Sequence, residues 1–142
     1  MAVSLHTALV RTYHAQKNTT RPGMAVIGLS PGQPKVLAYL SGRSNCMQKD
    51  IARALDIEPA TVSQILSNME QAGLIRRSDA AERRRAESVS ITEKGSAACR
   101  EWEELCRGIE KISLRGFSRE EKERFVAYLC RMYRNLTGKS LE

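Results

Sequence analysis

The chain has 142 residues, enough for one domain with one core and too few for two sizeable ones. Hydrophobic residues make up 42% and charged residues 27%, the profile of a soluble globular protein, and an aromatic share of 5% calls for an aliphatic core. The net charge of +7 favours a polyanionic partner, nucleic acid before a membrane surface.

No apolar run approaches the roughly 20 residues of a bilayer span. The N-terminus lacks the basic start and apolar block of a secretory signal, so the expected location is cytoplasmic with no membrane partner. Cys46, Cys99, Cys106 and Cys130 are then expected as reduced thiols. None of their spacings makes a Cys-x-x-Cys clamp, so neither a metal nor a cofactor is expected.

In chain order, Val3, His6, Leu9, Val10, Tyr13 and Lys17 recur at helical spacing and predict a helix over 3–17. Thr19, Thr20, Pro22, Gly23 and Gly28 predict a loop over 18–29. Ser30-Pro31-Gly32-Gln33 reads as a helix start with a capping box, leading to Val36, Leu37 and Leu40. A third helix is predicted over 48–55, with Ile51, Ala52 and Leu55 inward. After the turn Asp56-Ile57-Glu58, Pro59 opens a fourth that Gly73 ends. Two strand-like runs follow, 74–77 and 87–91, around a polar tip over 78–86. Thr92 then caps a long helix whose stripe is Ala98, Trp102, Leu105, Ile109 and Ile112. Ser118 and Glu121 form a capping box for a last helix carrying Phe125, Leu129, Met132, Tyr133 and Leu136.

Two short helices joined by a three-residue turn make a helix-turn-helix. Val62, Ile65 and Leu66 would bury the second helix. Its other face would carry Ala60, Thr61, Ser63, Gln64, Ser67, Asn68 and Gln71, small and polar enough for a major groove about 12 Å wide. Gln64 and Asn68 are the side chains able to bond adenine in bidentate fashion; Thr61 and Ser63 suit phosphate, and Thr61 also the thymine methyl. Arg76, Arg77, Arg83, Arg84 and Arg85 follow within ten residues, against Asp79 and Glu82. That places an arginine-rich hairpin beside the helix, where flanking backbone or a narrow minor groove would attract it.

Together, QKDIARALDIEPATVSQILSNMEQAGLI and RRAESVSITEKG resemble the MarR-type winged helix-turn-helix regulators. The closure Ile91-Thr92-Glu93-Lys94-Gly95 and the leading Gly28-Leu29-Ser30 with Gln33 and Val36-Leu37 carry the likeness furthest. The resemblance implies a mainly α winged-helix fold, about six helices plus a two- or three-stranded antiparallel sheet. It implies one domain over 1–142, with a DNA-binding lobe at 30–92 and dimerisation helices at 1–29 and 93–142. It also implies a homodimer on double-stranded DNA that regulates transcription, with repression expected, and wings in the minor grooves that would use Arg83, Arg84 and Arg85. A small-molecule effector is a further expectation; by position, Tyr13, His14 and Tyr39 would line its pocket. Two positions depart from the family pattern. Met47 stands where a capping Thr or Ser is usual, and Arg83 where an acid usually pairs with the arginine at Arg85.

Catalysis is not expected. His6 and His14 are the two histidines, and no carboxylate pair, Ser-His arrangement or glycine-rich phosphate loop accompanies them. Glu101, Glu103, Glu104 and Glu110 sit among Arg100, Arg107 and Lys111 as a salt-bridged helix face. The alternative function is a winged-helix protein-interaction module without DNA binding, suggested by the absence of Lys and Arg from the outer face of the second helix.

Overall fold

The computed structural model describes residues 1–78 and 88–141. It divides into two compact units, Met1–Arg107 and Gly108–Glu142. The first holds α1 (Leu5–Ile27), α2 (Gln33–Leu40), β1 (Cys46–Met47), α3 (Gln48–Leu55), α4 (Pro59–Gln71), β2 (Ile75–Arg77), β3 (Ser88–Ile91) and most of α5 (Glu93–Ser113). The second holds the end of α5 and all of α6 (Arg119–Thr137). Among the described residues this is a mainly α fold of six helices with one small antiparallel sheet, the winged-helix architecture expected from the sequence.

The core of the first unit is aliphatic, as the composition requires. Val36, Leu37 and Leu40 of α2, Ile51 of α3, and Val62, Leu66 and Met69 of α4 are all shut off from solvent. Leu74, Ile75 and Val89 close it from the sheet side, and Ala98 and Cys99 from α5. The strands run in the order β1-β3-β2. Cys46 pairs with Val89 on one edge, and Ile75 with Ile91 on the other. The two-residue strand β1 has no separate sequence signal. It exists because Cys46 and Met47 pair with Val89 and Ser88 of β3.

The N-terminal helix is a correction. The expected loop over 18–29 is helical as far as Ile27, with Pro22 inside it. Proline removes one helical hydrogen bond and crowds the carbonyl four residues back, at a cost of about 3 kcal/mol. Packing outweighs that here. Thr20 is buried, and Met24 and Ile27 pack against the core. Gly23 lets α1 approach α5 so closely that an added Cβ would lie 2.6 Å from Leu105 Cδ2. The helix ends at Gly28, whose left-handed backbone (φ 89°) lets Gly28 N–H donate to Ala25 O and Leu29 N–H to Met24 O.

The start of α2 is a smaller correction. The helix begins at Gln33, with left-handed Gly32 at its cap and Pro34 in its first turn, two residues after the expected opening at Pro31. The Gln33 half of the capping box is present, since Gln33 Oε1 accepts from Ser30 N–H at 3.0 Å. The capping box of α6 is complete: Ser118 Oγ accepts from Glu121 N–H, and Glu121 Oε2 from Ser118 N–H.

The closure Ile91-Thr92-Glu93-Lys94-Gly95 ties the sheet to the end of α4. Thr92 Oγ1 donates to Gly73 O at 2.6 Å and accepts from Gly95 N–H at 3.1 Å, and Lys94 Nζ donates to Ala72 O at 2.7 Å. A Cβ at Gly95 would overlap the Leu74 carbonyl oxygen, so only glycine allows α5 to start this close to the Leu74 backbone.

Candidate nucleic-acid interface

The helix-turn-helix comprises α3 and α4. Asp56, in the left-handed region at φ 55°, turns the chain sharply after α3, and Ile57 N–H donates back to Ala52 O at 3.0 Å. Ala52 is buried where the helices meet, and half-buried Ile57 fills the angle. Pro59 occupies the first turn of α4, where its missing N–H costs nothing. No side chain of Met47 caps α3, in keeping with its chemistry.

Burial of Val62, Leu66 and Met69 fixes the rotation of α4. Ala60, Thr61, Gln64, Asn68 and Gln71 are left exposed, and Ser63 and Ser67 half-buried at the edges. The outer face is therefore a narrow ridge of small and amide side chains. On it Gln64 Nε2 donates to Asn68 Oδ1 at 3.2 Å, a contact that the sequence reading did not foresee. Spacing alone allowed it, since residues four apart on a helix are neighbours.

Cations surround this ridge without standing on it. Arg76 is exposed on β2, and Arg77 reaches the Ser63 carbonyl of α4 with NH2 at 3.5 Å. On the other side, Lys49 and Arg53 of α3, with Met47, Gln48, Ala52, Ile57 and Pro59, line an open cleft of about 590 Å³. Sequence reasoning gave Lys49 and Arg53 no role; both are exposed on α3 and share this cleft with Pro59, the first residue of α4. At the neck of the hairpin, Ser78 and Ser88 hydroxyls meet at 2.7 Å, and Ser78 N–H donates to Ser88 O at 3.0 Å. Arg83, Arg84 and Arg85, with Asp79 and Glu82, lie outside the described residues.

The three residues expected at an effector pocket have different settings. Tyr13 and His14 are exposed on α1, with Lys17 Nζ 5.4 Å from the Tyr13 ring centre. Tyr39 packs half-buried against the core on α2, with the Arg43 guanidinium 4.3 Å from its ring centre. A cleft of about 510 Å³ in the second unit is lined by Arg115, Gly116, Phe117, Glu121, Arg124, Phe125 and Tyr128. Burial pushes the Cys46 thiol above its ordinary range. Burial first, then neighbouring Glu103, does the same to Cys99. Both effects disfavour the reactive thiolate. Among the described residues, no group of three or more His, Cys, Asp or Glu could hold a metal ion, and no helix is long and apolar enough to cross a membrane.

A model of the MarR family matches residues 27–86, from the end of α1 to beyond β2. Solved structures extend the likeness to nearly the whole chain. The transcriptional regulator PA3341 is 27% identical, with a TM-score of 0.78 over 96% of this chain and 100% of its own. MepR of S. aureus, in its DNA complex, is 24% identical, with a TM-score of 0.81 over 94% and 97%. A MarR-family transcriptional regulator of Silicibacter pomeroyi is 24% identical, with a TM-score of 0.74 over 91% and 87%. The fold is that of a winged-helix protein. Residues 27–86 match the MarR family model, and the solved structures that share the fold include transcriptional regulators.

Proposed function

We propose that this regulator is a homodimer that binds a pseudo-palindromic DNA site in a sequence-specific way and represses transcription from it. The observation that carries the reading is the orientation of α4. Val62, Leu66 and Met69 are buried and Ile65 half-buried, and Ala60, Thr61, Gln64 and Asn68 stand outward as a ridge slim enough for the major groove. Ser63 and Ser67 at its edges suit phosphate, with Lys49, Arg53 and Arg76 flanking. Arg83, Arg84 and Arg85, between β2 and β3 in sequence, supply the wing contacts. MepR, a structural neighbour that has been captured on DNA, supports the same use of this fold.

Apolar surface that the single chain leaves open supports the dimer. On α1, Leu5, Leu9, Val10 and Tyr13 are exposed, at 70%, 38%, 41% and 56%. On α6 nothing is buried, and Phe125, Val126, Tyr128, Leu129 and Leu136 face solvent. Helices this poor in burial gain most of their stability from a partner. A second copy covering both faces would set two copies of α4 about one DNA turn, roughly 34 Å, apart. An effector that favours a different spacing would release the DNA. Tyr13, His14 and Tyr39 remain its proposed contacts.

The test is equilibrium binding of the full chain to duplex DNA at two salt concentrations. A dimer that neutralises several phosphates loses affinity steeply as salt rises, because each neutralised phosphate releases counterions. Replacing Arg84 and Arg85 together by Ala should weaken binding to every sequence and flatten that slope. No affinity for any duplex at low salt would favour the protein-interaction module, whose support is the lack of Lys and Arg on the α4 ridge.

A further inference from the structure

We propose that Gln64 and Asn68 act as one coupled reader, in which Gln64 makes the base contact and Asn68 is a positioning residue that orients it. The proposal rests on α4 being the DNA-reading helix. It assigns different roles to two side chains that the sequence treats alike.

Gln64 and Asn68 lie one helical turn apart on the exposed ridge, joined by the 3.2 Å bond from Gln64 Nε2 to Asn68 Oδ1. A primary amide has two N–H donors and one carbonyl oxygen. The bond uses one Gln64 donor. Its second N–H and Oε1 remain free, and they form the mixed donor–acceptor fork that matches the N7 and N6 edge of adenine. Asn68 is placed differently. A bidentate contact from Asn68 would have to share Oδ1 between Gln64 and the base, whereas Gln64 Oε1 has no such bond to share.

The orientation has a consequence for base choice. Were both amides turned over, Asn68 would donate to Gln64 Oε1, and Gln64 would present two N–H groups outward. That pattern fits the two acceptors of guanine. The bond therefore sets which edge Gln64 reads. It also removes rotamer freedom from a long side chain before DNA arrives, which lowers the entropy lost on binding. In open water such a bond is weak. In a groove that excludes water it strengthens, as does the cost of breaking it.

The experiment uses the full chain and a duplex selected from random DNA, together with duplexes changed at single base pairs. Wild type, Gln64→Ala, Asn68→Ala, the double variant and Asn68→Asp are compared. Both side chains are exposed, so all variants should melt like wild type. Gln64→Ala is expected to erase discrimination at one base pair. Asn68→Ala should reduce discrimination about tenfold at that same pair, with the double variant no worse than Gln64→Ala. Asn68→Asp keeps the acceptor and cannot donate. It should retain the base preference while its charge weakens binding to all duplexes. An Asn68→Ala variant that loses preference at a different base pair, adds independently to Gln64→Ala, or changes nothing would overturn the pairing. A wild type that binds no duplex would instead refute the reading of α4, and the pairing with it.

Discussion

Gly95 shows how one residue type decides a local packing. The first turn of α5 lies against the backbone of Leu74, just before β2, and a Cβ there would overlap Leu74 O and come within 2.9 Å of Ile91 Cγ1. Backbone cannot give way as a side chain can. Gly95→Ala is therefore expected to cost about 2–4 kcal/mol in urea unfolding. Gly108, on the same helix, has open space around it. Gly108→Ala should be neutral or stabilise by up to about 1 kcal/mol through helix propensity. Similar losses for both variants would mean that propensity, not close approach, governs the position. The sequence marks Gly95 through the family-like run from Ile91, but not the reason for it, because Leu74 lies 21 positions earlier and meets it only in the fold. The Gln64–Asn68 contact was hidden differently. The spacing permits it, yet nothing in the residue types separates a bonded pair from two independent readers.

At the scale of elements, the helix-turn-helix was legible because its signals are local. Pro59 opens α4, Gly73 follows its end, and the Val62–Leu66–Met69 stripe fixes its inner side. Ser118 and Glu121 likewise mark the start of α6 within four residues. The later half of α1 was not legible, because its local signals oppose its structure. Thr19, Thr20, Pro22 and Gly23 read as a loop, and contacts remote in sequence override them: Leu105 seated at Gly23, and Met24 and Ile27 against the core. The expected outcome is a stability gain when Pro22, which is exposed, is replaced by Ala. The variant regains a helical hydrogen bond, and the urea midpoint should rise by an amount equivalent to about 1–3 kcal/mol, with helical circular dichroism increased. A fall in both would show that the proline geometry is itself required. β1 escaped notice for a third reason. Two residues are too few to show alternation, and Cys46 and Met47 are strand only because β3 runs beside them.

For the whole molecule, the same physical fact appears at both ends of the chain. α1 exposes Leu5, Leu9, Val10 and Tyr13, and α6 exposes Phe125, Leu129 and Leu136, at spacings that a helix uses for burial. The middle of the chain satisfies its own apolar residues; the ends do not. In the proposed dimer a second copy would resolve that imbalance and also supply a second α4, turning a short and weakly charged ridge into a two-part reader. Dimerisation and sequence-specific binding are then a single property. The most direct test is selection of bound sites from a random duplex library by the 142-residue chain. The account predicts an enriched pseudo-palindrome whose half-sites are centred about 10–10.5 base pairs, or one helical turn, apart. Recovery of single, unpaired half-sites, or of no enriched sequence despite tight binding, would contradict it.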